Sequence, residues 1–284
     1  MHGFMLANAS MWRLLNPDES IEETKPLQPT DFYRLSPLEA ENQNDLLKQD
    51  GYCYIPSVID PRKVDRMLAC VRLMIQKKFP PVFCFAYDIF WQLILDLDPI
   101  LRELLHGDYH VIENAWAWVV DGKKTANYFP PHRDLTDDED FIDEEGKPTL
   151  LSVWIPLTDV TTHSSCMYLL PASRDPEYPH GVSGWAKKWK TEGHRRWKAE
   201  ELVNIRALPA AKGSLMGWNA GVFHWGSEPH PKAPERISIG YYFHAANAKK
   251  KHPVLLDLSK PFAMQTRLKV IFEAMRLYGK SLQN

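Results

Sequence analysis

The feature that most constrains this chain is a histidine two positions before an aspartate, His132 and Asp134, with a third polar residue, His224, far downstream. On an extended strand, residues i and i+2 point to the same face, so the imidazole and the carboxylate can meet at one point. His224 completes the set only if the fold brings a second, distant strand beside the first. Two histidines and one carboxylate can hold Fe(II) on one face and leave other coordination positions open. Taken alone, the short pattern is more often a hydrogen-bonded surface pair.

Length and composition are those of an ordinary globular protein. The chain has 284 residues, of which 44% are hydrophobic and 25% charged, so it can bury a sizeable core. A formal net charge of -2 gives no general basis for binding nucleic acid. Neither a signal segment nor a membrane span is predicted. Its four cysteines follow no C-x-x-C spacing, so we expect buried thiols and a cytoplasmic location.

The chain divides into an arm and one larger unit. Residues 1–45 are polar and rich in proline, which predicts an irregular arm laid over the rest, and residues 46–284 are predicted to form a single domain. Asp60 followed by Pro61 is typical of a helix start, because the aspartate can cap the free N–H groups and proline lacks one. Apolar residues at helical spacing predict a second helical segment over residues 86–105, interrupted near its proline.

From residue 109 the pattern changes to alternation, which predicts a strand over residues 111–120. Asn114, Trp116 and Trp118 share one face of this strand. Such a face is either the wall of a pocket or a packed sheet core. Further strands are predicted at residues 150–157, 167–171, 212–218, 222–226 and 236–243.

The remaining segments carry three further predictions. His224 and Arg236 are expected on adjacent strands. Residues 175–205 interrupt the strands with tryptophan, lysine and arginine, which predicts a helical insertion. It is either a lid that recognises an anionic or aromatic substrate or a surface excursion whose tryptophans pack inward. Residues 260–282 predict an amphipathic C-terminal helix that covers the sheet or joins the subunits of a homo-oligomer.

Several segments, taken in order, resemble the phytanoyl-CoA dioxygenase family of Fe(II)- and 2-oxoglutarate-dependent oxygenases. The matching landmarks are residues 51–56, His132 with Asp134, residues 152–157, residues 166–173, residues 212–215 before His224, and Arg236 with Ser238. The resemblance implies a mainly β fold with flanking helices, a double-stranded β-helix of the jelly-roll or cupin-like kind. The sequence departs from the family pattern at residues 171–174, at Ser214 and at Trp225.

The resemblance also implies a set of reactants. Fe(II) is expected on His132, Asp134 and His224, with 2-oxoglutarate and O2 as cosubstrates. The far carboxylate of 2-oxoglutarate needs a fixed cation, and a guanidinium can bind it with two parallel hydrogen bonds and stay charged when buried. The cosubstrate residues predicted on this basis are Arg236, Ser238, Trp154 and Asn114.

The implied reaction is the decarboxylation of 2-oxoglutarate to succinate and CO2, coupled to oxidation of a C–H bond in a small molecule. Relatives that halogenate have a small residue where this chain has Asp134, so the carboxylate favours hydroxylation, desaturation or ring chemistry. The substrate is expected to be anionic or aromatic and apolar. The residues predicted to contact it are Trp116, Trp118, Tyr128, Arg133, Trp225, Arg195 and Arg196.

Two other classes of function fit the same residues. One is a catalytically silent jelly-roll binding or scaffold protein that retains the metal triad, and the other is a zinc hydrolase that uses the same ligands. The pairing of the triad with Arg236 favours the oxygenase, because neither alternative needs a buried cation beside the distal histidine.

Overall fold

The computed structural model describes residues 6–122, 130–134, 141–178, 199–249 and 255–278. The helices in these ranges are α1 (Ala9–Leu15), α2 (Pro37–Asp50), α3 (Pro61–Gln76), a 3-10 helix (Pro81–Ala86), α4 (Asp88–Asp96), α5 (Asp98–Leu104), two short 3-10 turns (Thr162–Ser164 and Ala172–Arg174), α6 (Ala199–Leu202) and α7 (Met264–Tyr278). The strands are β1 (Tyr52–Ile55), β2 (Tyr109–Val120), β3 (Leu150–Pro156), β4 (Met167–Leu170), β5 (Arg206–Leu208), β6 (Leu215–Asn219), β7 (Phe223–Gly226), β8 (Arg236–Ala245) and β9 (Leu255–Leu256).

These strands form two antiparallel sheets flanked by helices. The larger sheet has the order β1-β6-β3-β8-β2-β9 and the smaller has the order β5-β4-β7. They pack against each other through a shared cluster that includes Trp154 and Met216 from the larger sheet and Leu169 from the smaller. Among the described residues the helices hold more of the chain than the strands, so helices are as much a part of the architecture as the predicted sheets.

The prediction that His224 and Arg236 lie on adjacent strands is wrong. His224 is on β7, which pairs with β4, and Arg236 is on β8, which pairs with β2 and β3. The two residues therefore belong to different sheets and approach each other across the space between them.

Alternation along β8 separates the core from the site. Ile237, Ile239 and Tyr241 point into the main hydrophobic core beneath the helices. Arg236 and Gly240 occupy the other face, because successive strand residues point to opposite sides. A side chain at position 240 would bring its Cβ within 2.7 Å of the Trp118 ring, so the close approach of that ring requires glycine.

The predicted helices after residue 60 are confirmed. The Asp60 side chain accepts a hydrogen bond from the Arg62 N–H at the start of α3, and the apolar face of that helix is buried. The predicted segment over residues 86–105 is divided into α4 and α5, with Pro99 in the first turn of α5. Proline fits there because the first turn of a helix has no partner for its N–H groups.

The predicted irregular arm contains ordered helices, which corrects that prediction. α1 lies within residues 1–45, and α2 crosses the proposed boundary at residue 45. Trp12 of α1 is fully buried among aromatic rings and stacks on Phe83 at 5.5 Å between ring centroids. The signal in the sequence was Ser36, whose side chain forms a capping box with Glu39 at the start of α2.

The C-terminal helix packs on the larger sheet. Its buried Arg267 donates to the Ala86 carbonyl at 2.8 Å and to the Asp88 carboxylate at 2.7 Å. No helix of the described ranges has the length and apolar character that crossing a membrane would need. Of the predicted insertion over residues 175–205, residues 179–198 lie outside the described residues, and α6 occupies part of the remainder.

Candidate metal and cosubstrate site

The structure brings the three predicted metal ligands together. One ligand atom from each of His132, Asp134 and His224 lies within 4.8 Å of the others. The His132 Nε2 is 3.3 Å from Asp134 Oδ1, and the His224 Nε2 is 3.6 Å from Asp134 Oδ2. Paired backbone hydrogen bonds of 2.9 Å between His132 and His224 hold the two segments side by side. This geometry could hold a divalent metal ion.

Both imidazoles are oriented for metal binding by backbone carbonyls. His132 Nδ1 lies 2.8 Å from the Pro130 oxygen, and His224 Nδ1 lies 3.0 Å from the Val222 oxygen. A carbonyl can only accept, so each Nδ1 carries the hydrogen and each Nε2 presents its lone pair to the centre. Burial lowers the pKa of His224 to about 4, against the opposing charge of Asp134. At neutral pH this imidazole is therefore uncharged, as a ligand must be.

Asp134 is held as an ionised carboxylate. Its Oδ2 accepts hydrogen bonds from Ser152 Oγ at 2.6 Å and from Trp218 Nε1 at 2.9 Å. Burial acts to raise the Asp134 pKa, but His224, His132 and the Ser152 hydroxyl outweigh it, so the pKa lies well below its ordinary value. The carboxylate keeps its charge and has a fixed direction.

Arg236 is the buried cation expected beside the triad. Only 2% of its surface is exposed, and its Nη1 donates to the Ser165 carbonyl at 2.6 Å. The guanidinium lies over the Trp154 ring at 5.7 Å. Its Nε and the nearby Ser238 Oγ are buried without a hydrogen-bond partner among the described residues. Burial lowers the pKa of Arg236 to about 10, so it remains charged at neutral pH.

This guanidinium has no carboxylate partner among the described residues. The neighbouring Glu235 pairs instead with Arg72 at 3.0 Å. A buried charge without a counter-ion is costly, and buried polar groups are normally hydrogen-bonded. The arrangement is therefore suited to receive an anion.

Gly226 shows how near the cation lies to the metal ligands. Gly226 and His224 are two residues apart on β7, so they share a face of the strand. Two residues span about 7 Å along a strand. A Cβ at position 226 would come within 3.2 Å of Arg236 Nη1. The guanidinium thus occupies the space beside β7 that a side chain would fill.

The other two predicted cosubstrate residues lie at different ends of the site. Trp154 contacts the Arg236 guanidinium, as above. Asn114 does not lie there: its Nδ2 donates to the Tyr278 hydroxyl at 2.8 Å, in a cleft on the other side of Asp134. Asn114 belongs with the cleft because β2 carries it toward α7, which corrects its assignment to the cosubstrate pocket.

The predicted substrate residues are divided by the structure. Trp116 and Trp118 face the Tyr278 ring, at 5.1 Å and 6.3 Å between ring centroids. Trp225 stacks on Tyr168 at 5.9 Å and lies on the face of β7 opposite to His224, away from the site. Tyr128, Arg195 and Arg196 lie outside the described residues.

Arg133 is placed for structural support, which corrects its assignment as a substrate contact. It follows His132 on an extended segment and so points the other way. Its buried guanidinium donates to the Asp175 carboxylate at 2.6 Å and to the Gly221 carbonyl, and lies 5.4 Å from the Phe223 ring. These contacts tie the segment of the first two ligands to the strand of the third.

The cleft beside the proposed metal ligands is not evident from the sequence, apart from Asn114, which lies on the strand face predicted as a possible pocket wall. This cleft, of about 840 Å³, is lined by residues of β2, β3 and β8, by α7, and by Asp134 and Ser152. Its volume is within the usual range for sites that bind small molecules. The apolar spacing of residues 260–282 indicated that a helix would cover the sheet, but periodicity does not reveal which helix face borders a cavity.

A comparison with protein-family models tests the family resemblance that these residues suggest. Residues 93–233 match the model described as phytanoyl-CoA dioxygenase. This segment is similar to the phytanoyl-CoA dioxygenase family. The predicted resemblance is thereby confirmed, and the match contains all three metal ligands. A search of curated proteins by sequence found no match.

Solved structures with a similar fold include enzymes described as dependent on α-ketoglutarate. The epimerase SnoN from nogalamycin biosynthesis, in complex with Fe3+, α-ketoglutarate and nogalamycin RO, is 17% identical, with a TM-score of 0.57 over 80% of this chain and 96% of SnoN. HygX from Streptomyces hygroscopicus, with nickel and 2-oxoglutarate, is 13% identical, with a TM-score of 0.56 over 77% and 90%. The carbocyclase SnoK is 18% identical, with a TM-score of 0.55 over 78% and 88%. At these identities the likeness establishes the fold.

Proposed function

We propose that this protein is an Fe(II)- and 2-oxoglutarate-dependent dioxygenase that hydroxylates a small molecule. The observation that carries the proposal is the set of two imidazoles and an ionised carboxylate beside Arg236, a buried cation for which the described residues offer no counter-ion. A metal site alone would suit many functions. A metal site next to a buried anion-binding guanidinium suits a reaction that needs both a metal and a dianionic cosubstrate.

The architecture supports this proposal. We propose that the two facing antiparallel sheets form a double-stranded β-helix, with the site between them. In this arrangement residues 46–284 are one domain, and the helices of the arm extend its core through Trp12. The SnoN and HygX structures, which share the fold, hold iron or nickel together with the keto acid, and this chain presents ligands suited to both.

Three residues would hold the metal. His132 and His224 would bind through Nε2, and Asp134 offers a carboxylate oriented by Ser152 and Trp218. This donor set matches the ligands that non-heme Fe(II) uses when it leaves open positions for reactants. When bound, the iron would supply the activation of O2 that oxidises a C–H bond.

Arg236 and Ser238 would bind the far carboxylate of 2-oxoglutarate. The described residues offer the Arg236 Nε and the Ser238 hydroxyl no hydrogen-bond partner, so a carboxylate would satisfy two buried donors at once. Trp154, against the guanidinium, would keep water from this end of the molecule. The guanidinium lies beside Gly226, about two strand residues from His224. This separation suits a short diacid with one end at Arg236 and the other end at the metal.

Hydroxylation is the outcome proposed for the substrate. Asp134 fills the position that halogenating relatives leave small, so the third protein ligand occupies the place that chloride would take. The epimerase SnoN and the carbocyclase SnoK share the fold, so C–H oxidation followed by epimerisation or ring closure is the nearest different outcome. Product analysis separates these reactions, since only hydroxylation adds one oxygen atom.

The proposal is tested by succinate release with Fe(II), 2-oxoglutarate, O2 and fractions of a metabolite extract. We expect one or more fractions to stimulate succinate release, and Asp134→Ala to abolish the stimulated rate by removing a metal ligand. Asp65→Ala, at an exposed ion pair with Lys212, is the matched control and should retain the rate. Full stimulated activity of Asp134→Ala in the presence of excess Fe(II) would contradict the ligand role.

A further inference from the structure

The cleft beside Asp134 lies at the opposite end of the site from Arg236. Tyr242, which lines the cleft, is six residues from Arg236 along β8 and on the same face. Ser152 joins this cleft to the metal site, because it lines the cleft and donates to Asp134. A molecule in the cleft would therefore reach the metal ligands from the side that the cosubstrate end does not use.

Asn114, Tyr278 and Tyr242 place a connected set of uncharged polar groups in the cleft. Asn114 Nδ2 donates to the Tyr278 hydroxyl at 2.8 Å, and the Tyr278 hydroxyl donates to that of Tyr242 at 3.2 Å. Burial raises the pKa of both phenols, so both keep their protons at neutral pH. Tyr242 accepts in this pair, so its own hydroxyl proton is not used between the two phenols.

The charges that line the cleft compensate each other. Lys269 Nζ lies 2.7 Å from Glu113 Oε2, and Arg276 Nε lies 2.9 Å from Glu273 Oε2. Within the described lining, each cation thus has its own carboxylate, and Asp134 adds a negative charge. An anionic ligand would have to displace one of these carboxylates.

The mouth of the cleft also has large apolar side chains. Phe272 and Leu277 of α7 both line it and remain 47% and 46% exposed. When an apolar molecule covers large apolar side chains that border a cleft of ligand size, binding is favoured because their surface is removed from water. The cleft thus combines apolar walls at the mouth with a neutral hydrogen-bond donor in its depth.

We propose that the cleft binds an uncharged molecule with a ring-sized apolar body and an oxygen acceptor, and that Tyr242 orients it by donating a hydrogen bond to that oxygen. This proposal rests on the proposed function only for the chemistry that follows binding. It assigns a substrate class to the site. Of the two classes expected from the sequence, the described lining of the cleft favours the apolar one over the anionic one.

The test uses matched aromatic probes, led by 2-acetylnaphthalene and its anionic counterpart 2-naphthoate. Binding to the full-length protein is measured by ligand-observed NMR saturation transfer, without metal and again with Mn(II) and 2-oxoglutarate. We expect the ketone to bind more tightly than the carboxylate in both states. With Mn(II) present, the ketone protons should also show enhanced relaxation, because the cleft opens beside the metal ligands.

Three variants test the assigned contacts. Tyr242→Phe should weaken binding of the ketone roughly three- to tenfold, the effect of one lost hydrogen bond. Tyr54→Phe, whose hydroxyl lies 3.4 Å from the Pro209 carbonyl outside the cleft, should leave it unchanged. Glu113→Gln leaves Lys269 without its carboxylate and should strengthen binding of 2-naphthoate about threefold.

The outcomes separate this proposal from the proposed function. Ketone binding that is lost in Tyr242→Phe, without any effect of Mn(II), would support the cleft assignment and contradict the metal site. Tighter binding of 2-naphthoate than of the ketone, no binding by either probe, or ketone binding that Tyr242→Phe leaves unchanged would each overturn the cleft assignment.

Discussion

At the level of single residues, the proposed binding of 2-oxoglutarate depends most on Arg236. We predict that Arg236→Gln weakens binding of 2-oxoglutarate by at least about 30-fold, or roughly 2 kcal/mol, because a buried charged hydrogen-bond partner is lost. Arg236→Lys should recover part of the affinity, since an ammonium keeps the charge but cannot form the two parallel hydrogen bonds. Calorimetry with the Ni(II)-substituted protein measures both constants.

The control for this prediction is Arg72→Gln, which removes an exposed guanidinium paired with Glu235. It should leave the affinity for 2-oxoglutarate unchanged. The affinity for Ni(II) should stay within about twofold in all three variants, because Arg236 contacts no metal ligand. If Arg236→Gln binds 2-oxoglutarate as tightly as the original protein, the guanidinium is not the anion site.

Arg133 gives a second prediction, on stability. Arg133→Ala leaves the buried Asp175 carboxylate without its partner, and breaking a buried ion pair of this kind costs about 3–5 kcal/mol. Urea unfolding measures the free-energy change. Arg62→Ala, at an exposed pair with Asp60, is the control and should change stability little. A loss in Arg133→Ala as small as the control's would show that the contact does not support the fold.

The residue scale also shows what the sequence could predict of the site. His132, Asp134, His224 and Arg236 could be proposed from the sequence because their chemistry is specific and their order resembles that of a known family. Arg133 was misassigned because nearness in sequence was given more weight than strand alternation. The period of two that placed His132 and Asp134 on one face also places Arg133 on the other.

At the scale of elements, the packing of α1 supports the extended core. Trp12→Ala should lower the free energy of unfolding by about 3–5 kcal/mol, because it removes a fully buried ring from contact with Phe79, Phe83 and Tyr87. Leu14→Ala in the same helix is the control. Leu14 is 84% exposed, so its loss should change stability by about 0.5 kcal/mol or less.

Chemical unfolding in urea measures both variants. Equal effects of the two substitutions would mean that α1 does not pack on the domain. The arm was predicted to be irregular because polar residues and prolines interrupt its apolar spacing. Trp12 was buried by distant aromatic partners, which local periodicity does not identify.

Local elements were predicted well, and their pairing was not. β2 was predicted from alternation, β3 and β8 were among the further strands predicted, and α3 was predicted from its cap and its apolar face, because these signals lie within one segment. The separation of β7 and β8 into different sheets depends on contacts between residues far apart in sequence. A short loop suggested that they were neighbours, and the two-sheet architecture decided otherwise.

At the scale of the whole molecule, the site depends on elements from most of the chain. The proposed metal ligands come from the segment after β2 and from β7, the proposed anion-binding residues come from β8, and the cleft needs α7 near the C-terminus. The sequence suggested the candidate ligands, but it could not identify the cleft, because the walls come from strands and a helix more than a hundred residues apart. The smaller sheet contributes β7, so both sheets must form before the site exists.

Anaerobic titration of the metal-free protein with Fe(II) and then 2-oxoglutarate, followed by visible absorption, tests most directly whether the three proposed ligands and Arg236 hold iron and the keto acid together. A weak charge-transfer band should appear only when both are present. It should be absent in Asp134→Ala, and it should need a much higher concentration of 2-oxoglutarate in Arg236→Gln. No band in the original protein at saturating Fe(II) and 2-oxoglutarate, or an unchanged band in Asp134→Ala, would contradict the account.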